Sequence, residues 1–493
     1  MMSESSVMCA LPRRLLRWPA IAWPFCALTI LFLASLPLVN PYVHGDGVGY
    51  YAYAQSLVID HDLNFEDDWR AATPGFLQDR VDATGKLLPE ERTVTGHLRN
   101  HFSVGPAILW APFLSLAHAG VIVADRIGTG IPATGYSRPY LVTMAASTSL
   151  YGFLGLLLAF DLARPYAGNT WAFLATVGIW FASSLPVYMY FNPAWSHAHS
   201  AFSVALFLWY WQRTRDQRSL RQWIVLALAA GLMMNVYYPN AILMAVPATE
   251  ALTDYYRTPP ARWGSLLGTH ACFLGTAFAA LLPTLATRWV VFGSPFESGY
   301  PPMGQWHWTS PVWLAVLFSA DHGLLSWTPV LIPALLGVLA VYKKDALFGI
   351  GLMLSVLLFS YFISSYPDWD GLSSFGNRFF ISLTPVFVIG LAAALDLFAR
   401  WWKRQKSAVV LASAVLALLT AWNAGFIFQW GTQMIPARGA ISWKQMAYNQ
   451  FAVVPARITG DFEYYLFRRN SIMQRIEVKD LERRQSEVPD REP

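Results

Sequence analysis

The chain has 493 residues, 55% of them hydrophobic and only 13% charged, with a net charge of +5. That composition excludes an ordinary water-soluble domain, and basic residues placed in short loops between apolar runs point to membrane topology, not nucleic acid. Cys9, Cys26 and Cys272 show no CxxC or metal spacing, so no disulfide framework is expected.

Apolar runs recur from end to end, and the short alternating segments of a membrane barrel are absent. Lipid offers backbone groups no partners, so these runs predict helices and an all-α polytopic membrane protein. Arg13, Arg14 and Arg17 precede a first crossing at about residues 20–39, too long for a signal-peptide core. The stretch VHGDGVGYYAYAQSLVIDHDLNFEDDWR follows, from Val43 to Arg70. It sets Asp46 between two glycines, then Tyr50, Tyr51 and Tyr53 at helical spacing, then Asp60, Asp62, Glu66, Asp67 and Asp68.

Four apolar runs separate this stretch from the basic cluster Arg213, Arg215, Arg218 and Arg221, which short-loop charge bias places in the cytoplasm. Parity then requires that one run does not span. The run at 104–124, with Pro106, Pro112 and His118, is read as a helix lying along the interface. The outer loop becomes 40–138, with 11 of the 30 acids against seven Lys and Arg. The remaining crossings fall near 139–163, 170–190, 194–212, 222–236, 238–254, 264–285, 323–342, 346–365, 379–399 and 407–428. The expected architecture is therefore about 11 transmembrane helices, a membrane domain over 1–430 and an outer tail, 431–493, that is partly disordered. No internal repeat is found, which weighs against repeat-built transporters.

This topology collects polar residues on the outer face: His44 and Asp46, Asn192 to His199, Glu297, Asp321 and His322, and the segment from Tyr366 to Arg378 that contains Asp370. Asp46 can act as a general base and Arg378, alone at the outer end of a helix, can hold a phosphate. His44, Asp60, Asp62, His197 and Asp370 are further candidates for binding substrate or a divalent metal. Each has a structural alternative: a turn acid for Asp46, a helix cap for Asp60 or Asp62, an interfacial anchor for Arg378, a hydrogen-bonding neighbour for His44. His197 and His199 do not share a helix face, and the tyrosines are read as interface packing more than sugar stacking.

The stretches GDGVGYYAYAQSLVIDHDLNF, NPAWSHAHSAF, FGSPFESGY, HGLLSWTPV and DWDGLSSFGNRFFISLTP resemble a bacterial branch of the GT-C membrane glycosyltransferases. That group includes protein O-mannosyltransferases and the aminoarabinose transferases that modify lipid A. The similarity spans about residues 20–400. It implies a polyprenyl-phosphate-sugar donor, an envelope acceptor (lipid, glycan or protein), and inverting transfer at the outer face of a bacterial inner membrane. The early-loop Asp, here Asp46, would be the base. Protein mannosyltransferases carry Asp-Glu where this chain has Asp46-Gly47, and Asp60-His61-Asp62 is only loosely similar to the metal-binding motifs of oligosaccharyltransferases. The competing class is a flippase for a lipid-linked sugar, which would need polar residues at mid-membrane depth.

Overall fold

Among the described residues the chain forms helices and no strand, with only two isolated bridges, Val81 to Leu87 and Arg92 to Leu98. The structure is a computed structural model that describes residues 23–487 except 79, 83, 437 and 438. The basic N-terminal segment and Cys9 lie outside the described residues.

Five described helices are long and apolar enough to cross a bilayer, and a sixth span results if Pro260–Ala279 and Leu282–Phe292 are taken together across their 41° bend. Several other expected crossings are built from shorter or interrupted pieces: Trp23–Leu38, Leu220–Val236, and Leu331–Lys344 behind the short turn Leu324–Trp327. The 139–163 and 170–190 runs join in one helix, Arg138–Phe181, broken at Gly168. Its φ of 76° lies where a side chain is strained, so the chain changes direction there without a loop.

The basic turns gather at one end of the bundle, and acids meet them there. Asp161 binds Arg164 at 3.1 Å and also Arg213. Asp345 pairs with Arg215 at 2.6 Å, and Arg218 with Glu250 at 3.2 Å. Asp396 pairs with Arg400 at 3.0 Å, as its i,i+4 spacing predicts, and also with Lys344 at 2.8 Å. Charges embedded at the ends of apolar helices are thus neutralised locally, where lone ions would be costly.

The 104–124 run folds as a single helix, Gly105–Arg126, about 33 Å long at 1.5 Å per residue. Trp110 reaches Thr148 at 2.8 Å and His118 reaches Tyr140 at 2.7 Å. Those pairs make the helix antiparallel to the first turns of Arg138–Phe181, and it stops well short of the break at Gly168. By length and apolarity it is also one of the five candidate spans.

Much of the tail is helical. It forms the helix Val454–Glu487, interrupted at Arg468, and residues 488–493 lie outside the described residues. Tyr465 donates to the Leu38 carbonyl at 2.8 Å and Arg469 to that of Pro37 at 2.6 Å. The tail therefore braces the chain just before the Asp46 segment.

Candidate functional site

The segment that carries Asp46 is fixed by what its glycines permit. Gly45 has φ 54°, and a Cβ on Gly47 would lie 2.7 Å from the Ala194 Cβ. Without side chains there, the start of the helix Asp46–Gln55 lies flat on Ala194 and Trp195. The surface these glycines approach is the protein's own. Trp195 Nε1 donates to the His44 carbonyl at 3.1 Å, and the His44 ring meets Asn192 Oδ1 at 3.0 Å. His44 thus supports the turn next to Asp46.

Arg378 arrives from the other end of the sequence. Its guanidinium donates to Asp46 Oδ2 at 2.6 Å and lies 4.5 Å from the Trp195 ring centre. The two residues given separate roles in the sequence are therefore in direct contact. The Asp46 side chain keeps 32% of its surface exposed and Arg378 only 9%, so the carboxylate faces the accessible side and the cation the interior. Arg378 Nε is buried with no hydrogen-bond partner, as are Asn192 Nδ2 and Asn377 Oδ1 on the adjoining segments. Buried polar atoms are usually satisfied, and unsatisfied ones grouped at one site fit a polar ligand.

The loop presenting Arg378 is held from below. The Tyr188 hydroxyl accepts from the Phe375 amide at 3.0 Å, and Asn377 Nδ2 donates to the Trp369 carbonyl at 3.1 Å. His197 is buried beside the Tyr188 ring, with centroids 4.6 Å apart. Its ring also neighbours that of Trp195, with centroids 6.2 Å apart.

Asp60 and Asp62 lie apart from this pair. They lie beyond the helix and its π-turn extension, Ser56–Asp60, about 20 Å along the chain axis from Asp46. They do not join the Asp46 site, and Asp62 accepts from the Asn64 amide at 3.1 Å. Their neighbour Asp68 is fully buried, accepts from Tyr136 at 2.5 Å and Ser56 at 3.1 Å, and is pushed up to about 7, chiefly by burial. Tyr51 and Tyr53 are also buried, bonded to the carbonyls of Gly135 at 2.6 Å and Asn100 at 3.1 Å, and so serve packing.

Asp370 falls in a different cluster. Among the described residues, Asp321, His322 and Asp370 are the only group whose ligand atoms lie close enough to hold a metal ion, all within 4.8 Å. Asp60, His61 and Asp62 form no such group.

Arg288, which is not among the sequence candidates, is buried in the helix Leu282–Phe292. It donates to the carbonyls of Asn100 at 3.0 Å, His101 at 2.6 Å and Phe102 at 2.9 Å, and to the Tyr238 hydroxyl. It clamps the 100–102 stretch in place. The sequence signal was an arginine inside an apolar run, where an unpaired charge is costly and therefore purposeful.

No family model and no curated protein matches the chain. It is similar to the solved structure of the archaeal oligosaccharyltransferase AglB from Archaeoglobus fulgidus, in complex with an inhibitory peptide and a dolichol-phosphate. That match has 13% identity and a TM-score of 0.47, covering 88% of this chain and 54% of AglB. The apo form of the Archaeoglobus fulgidus oligosaccharyltransferase gives 14% identity, a TM-score of 0.48, and 89% and 55% coverage. ArnT from Cupriavidus metallidurans, in the apo state, gives 13%, 0.44, 94% and 74%. This chain spans about half the length of the archaeal enzyme.

Proposed function

We propose that this protein transfers a sugar from a polyprenyl-phosphate-linked donor to an envelope acceptor at the outer face of a bacterial inner membrane. The observation that carries the reading is the Asp46 to Arg378 pair, a partly exposed carboxylate against a buried guanidinium with an unpartnered Nε. In this reaction the acceptor hydroxyl gives its proton to Asp46 as its oxygen attacks the anomeric carbon. The bond from that carbon to the donor phosphate breaks, and the phosphate leaves with the electron pair. Attack opposite the leaving group inverts the anomeric centre.

Arg378 suits the leaving phosphate because a guanidinium offers several donors in one plane. One of its terminal nitrogens is engaged by Asp46, and its Nε has no protein partner. A phosphate there would gather charge where donors are already fixed, which lowers the barrier without reorganisation. The guanidinium would also tie the base to the leaving group. Mass spectrometry of envelope lipids and glycans, with and without the gene, tests the reading. A glycosylated species that disappears on deletion and returns with the wild-type gene is expected; an unchanged envelope contradicts it.

A further inference from the structure

We propose that Asp321, His322 and Asp370 form a site for a divalent transition-metal ion that ties the 319–323 turn to the loop presenting Arg378. The three side chains come from two segments far apart in sequence, and their ligand atoms lie within 4.8 Å of one another. The His322 side chain is only 1% exposed. Its backbone sits at φ 58°, a region sparsely populated by residues with a side chain. Such strain persists where the surroundings impose it, commonly at sites that bind something.

The histidine is prepared as a ligand. Its Nδ1 lies 2.9 Å from the Asp370 carbonyl oxygen. A carbonyl only accepts, so Nδ1 carries the proton and Nε2 keeps a lone pair. Histidines that bind metals commonly donate their other nitrogen to a carbonyl in this way. Asp321 Oδ1 is buried without a hydrogen-bond partner, and its nearest approach to the ring, 3.8 Å from Nδ1, is too long for one. A cation would take the unsatisfied oxygen.

One imidazole with two carboxylates suits Zn²⁺ or Mn²⁺ better than an all-oxygen ion such as Ca²⁺. Bonds of about 2.0–2.2 Å put opposite ligands no more than about 4.4 Å apart, so the cluster must draw in slightly on binding. The link to Arg378 is short: Gly371 follows Asp370, and a Cβ on it would lie 3.3 Å from Arg378 Nε. The ion would be a positioning element for the 366–378 loop.

Metal binding is read without any transfer assay, so it stands or falls apart from the proposed reaction. Full-length protein in detergent, stripped with a chelator, is titrated with Mn²⁺ while the free-ion signal is followed by electron paramagnetic resonance. One saturable ion per chain is expected. Asp321→Asn and His322→Gln should each weaken it about tenfold or more. Asp60→Asn, in the acidic group that does not converge, should leave it unchanged. Absence of a saturable one-ion site in the wild type overturns the proposal whether or not the variants fold. So does equal affinity in wild type and a monodisperse Asp321→Asn protein.

Discussion

Replacing Arg378 by alanine should separate its structural cost from its role toward the donor. The side chain is buried over Trp195 and holds Asp46 at 2.6 Å. Removing one partner of a buried ion pair costs about 3–5 kcal/mol. Here Asp46 keeps 32% of its side chain exposed. Water can take over part of its solvation, so the stability loss should fall to about 2–3 kcal/mol. A charge-assisted hydrogen bond to a phosphate contributes about 1.5–3 kcal/mol, so donor affinity should drop roughly 10- to 150-fold. Arg378→Lys should recover part of that affinity, because the charge remains while the planar fork is lost. The assay is binding of a fluorescent polyprenyl-phosphate sugar to purified protein, beside a thermal melt in the same detergent. If the alanine protein is folded and binds the donor like wild type, Arg378 is only an anchor and the phosphate assignment is refuted.

Other predictions concern the membrane and the outer loop. Reporters should place 40–138 and a fusion after Pro436 outside, with Arg215 and Lys343 inside; activity of a cytoplasm-only reporter after Pro436 would break the parity argument. Asp68 is held up at about 7 by burial, above its ordinary value of 3.8. The folded state therefore binds more protons between those values, so this group's stabilising contribution is present at low pH and is lost as pH rises through about 7. Asp68→Asn should remove that slope and raise the melting temperature above neutrality; an unchanged melting profile from pH 5 to 8 would contradict it.

The helical class and most helix positions are legible in the sequence because lipid forces apolar runs into helices. The sequence singled out both Asp46 and Arg378, yet not their contact. Nothing local encodes a meeting across 332 positions, or the Trp195 surface on which both rest. Asp60 and Asp62 were drawn in by their nearness in sequence to Asp46, whereas the intervening helix carries them away. Arg288 was passed over because its partners are backbone carbonyls, which leave no residue signature. The contacts of Tyr465 and Arg469 with the carbonyls of residues 37–38 are a tertiary match that charge composition does not show.

The central claim is that Asp46 is the base for sugar transfer, and turnover by Asp46→Asn tests it most directly. Asparagine keeps the shape, removes the basicity and still offers Arg378 an acceptor oxygen. General-base catalysis is typically worth about 100- to 10,000-fold, so turnover should fall by that much. Donor binding and protein yield should change far less. An Asp46→Asn protein that glycosylates its acceptor at the wild-type rate would contradict the account.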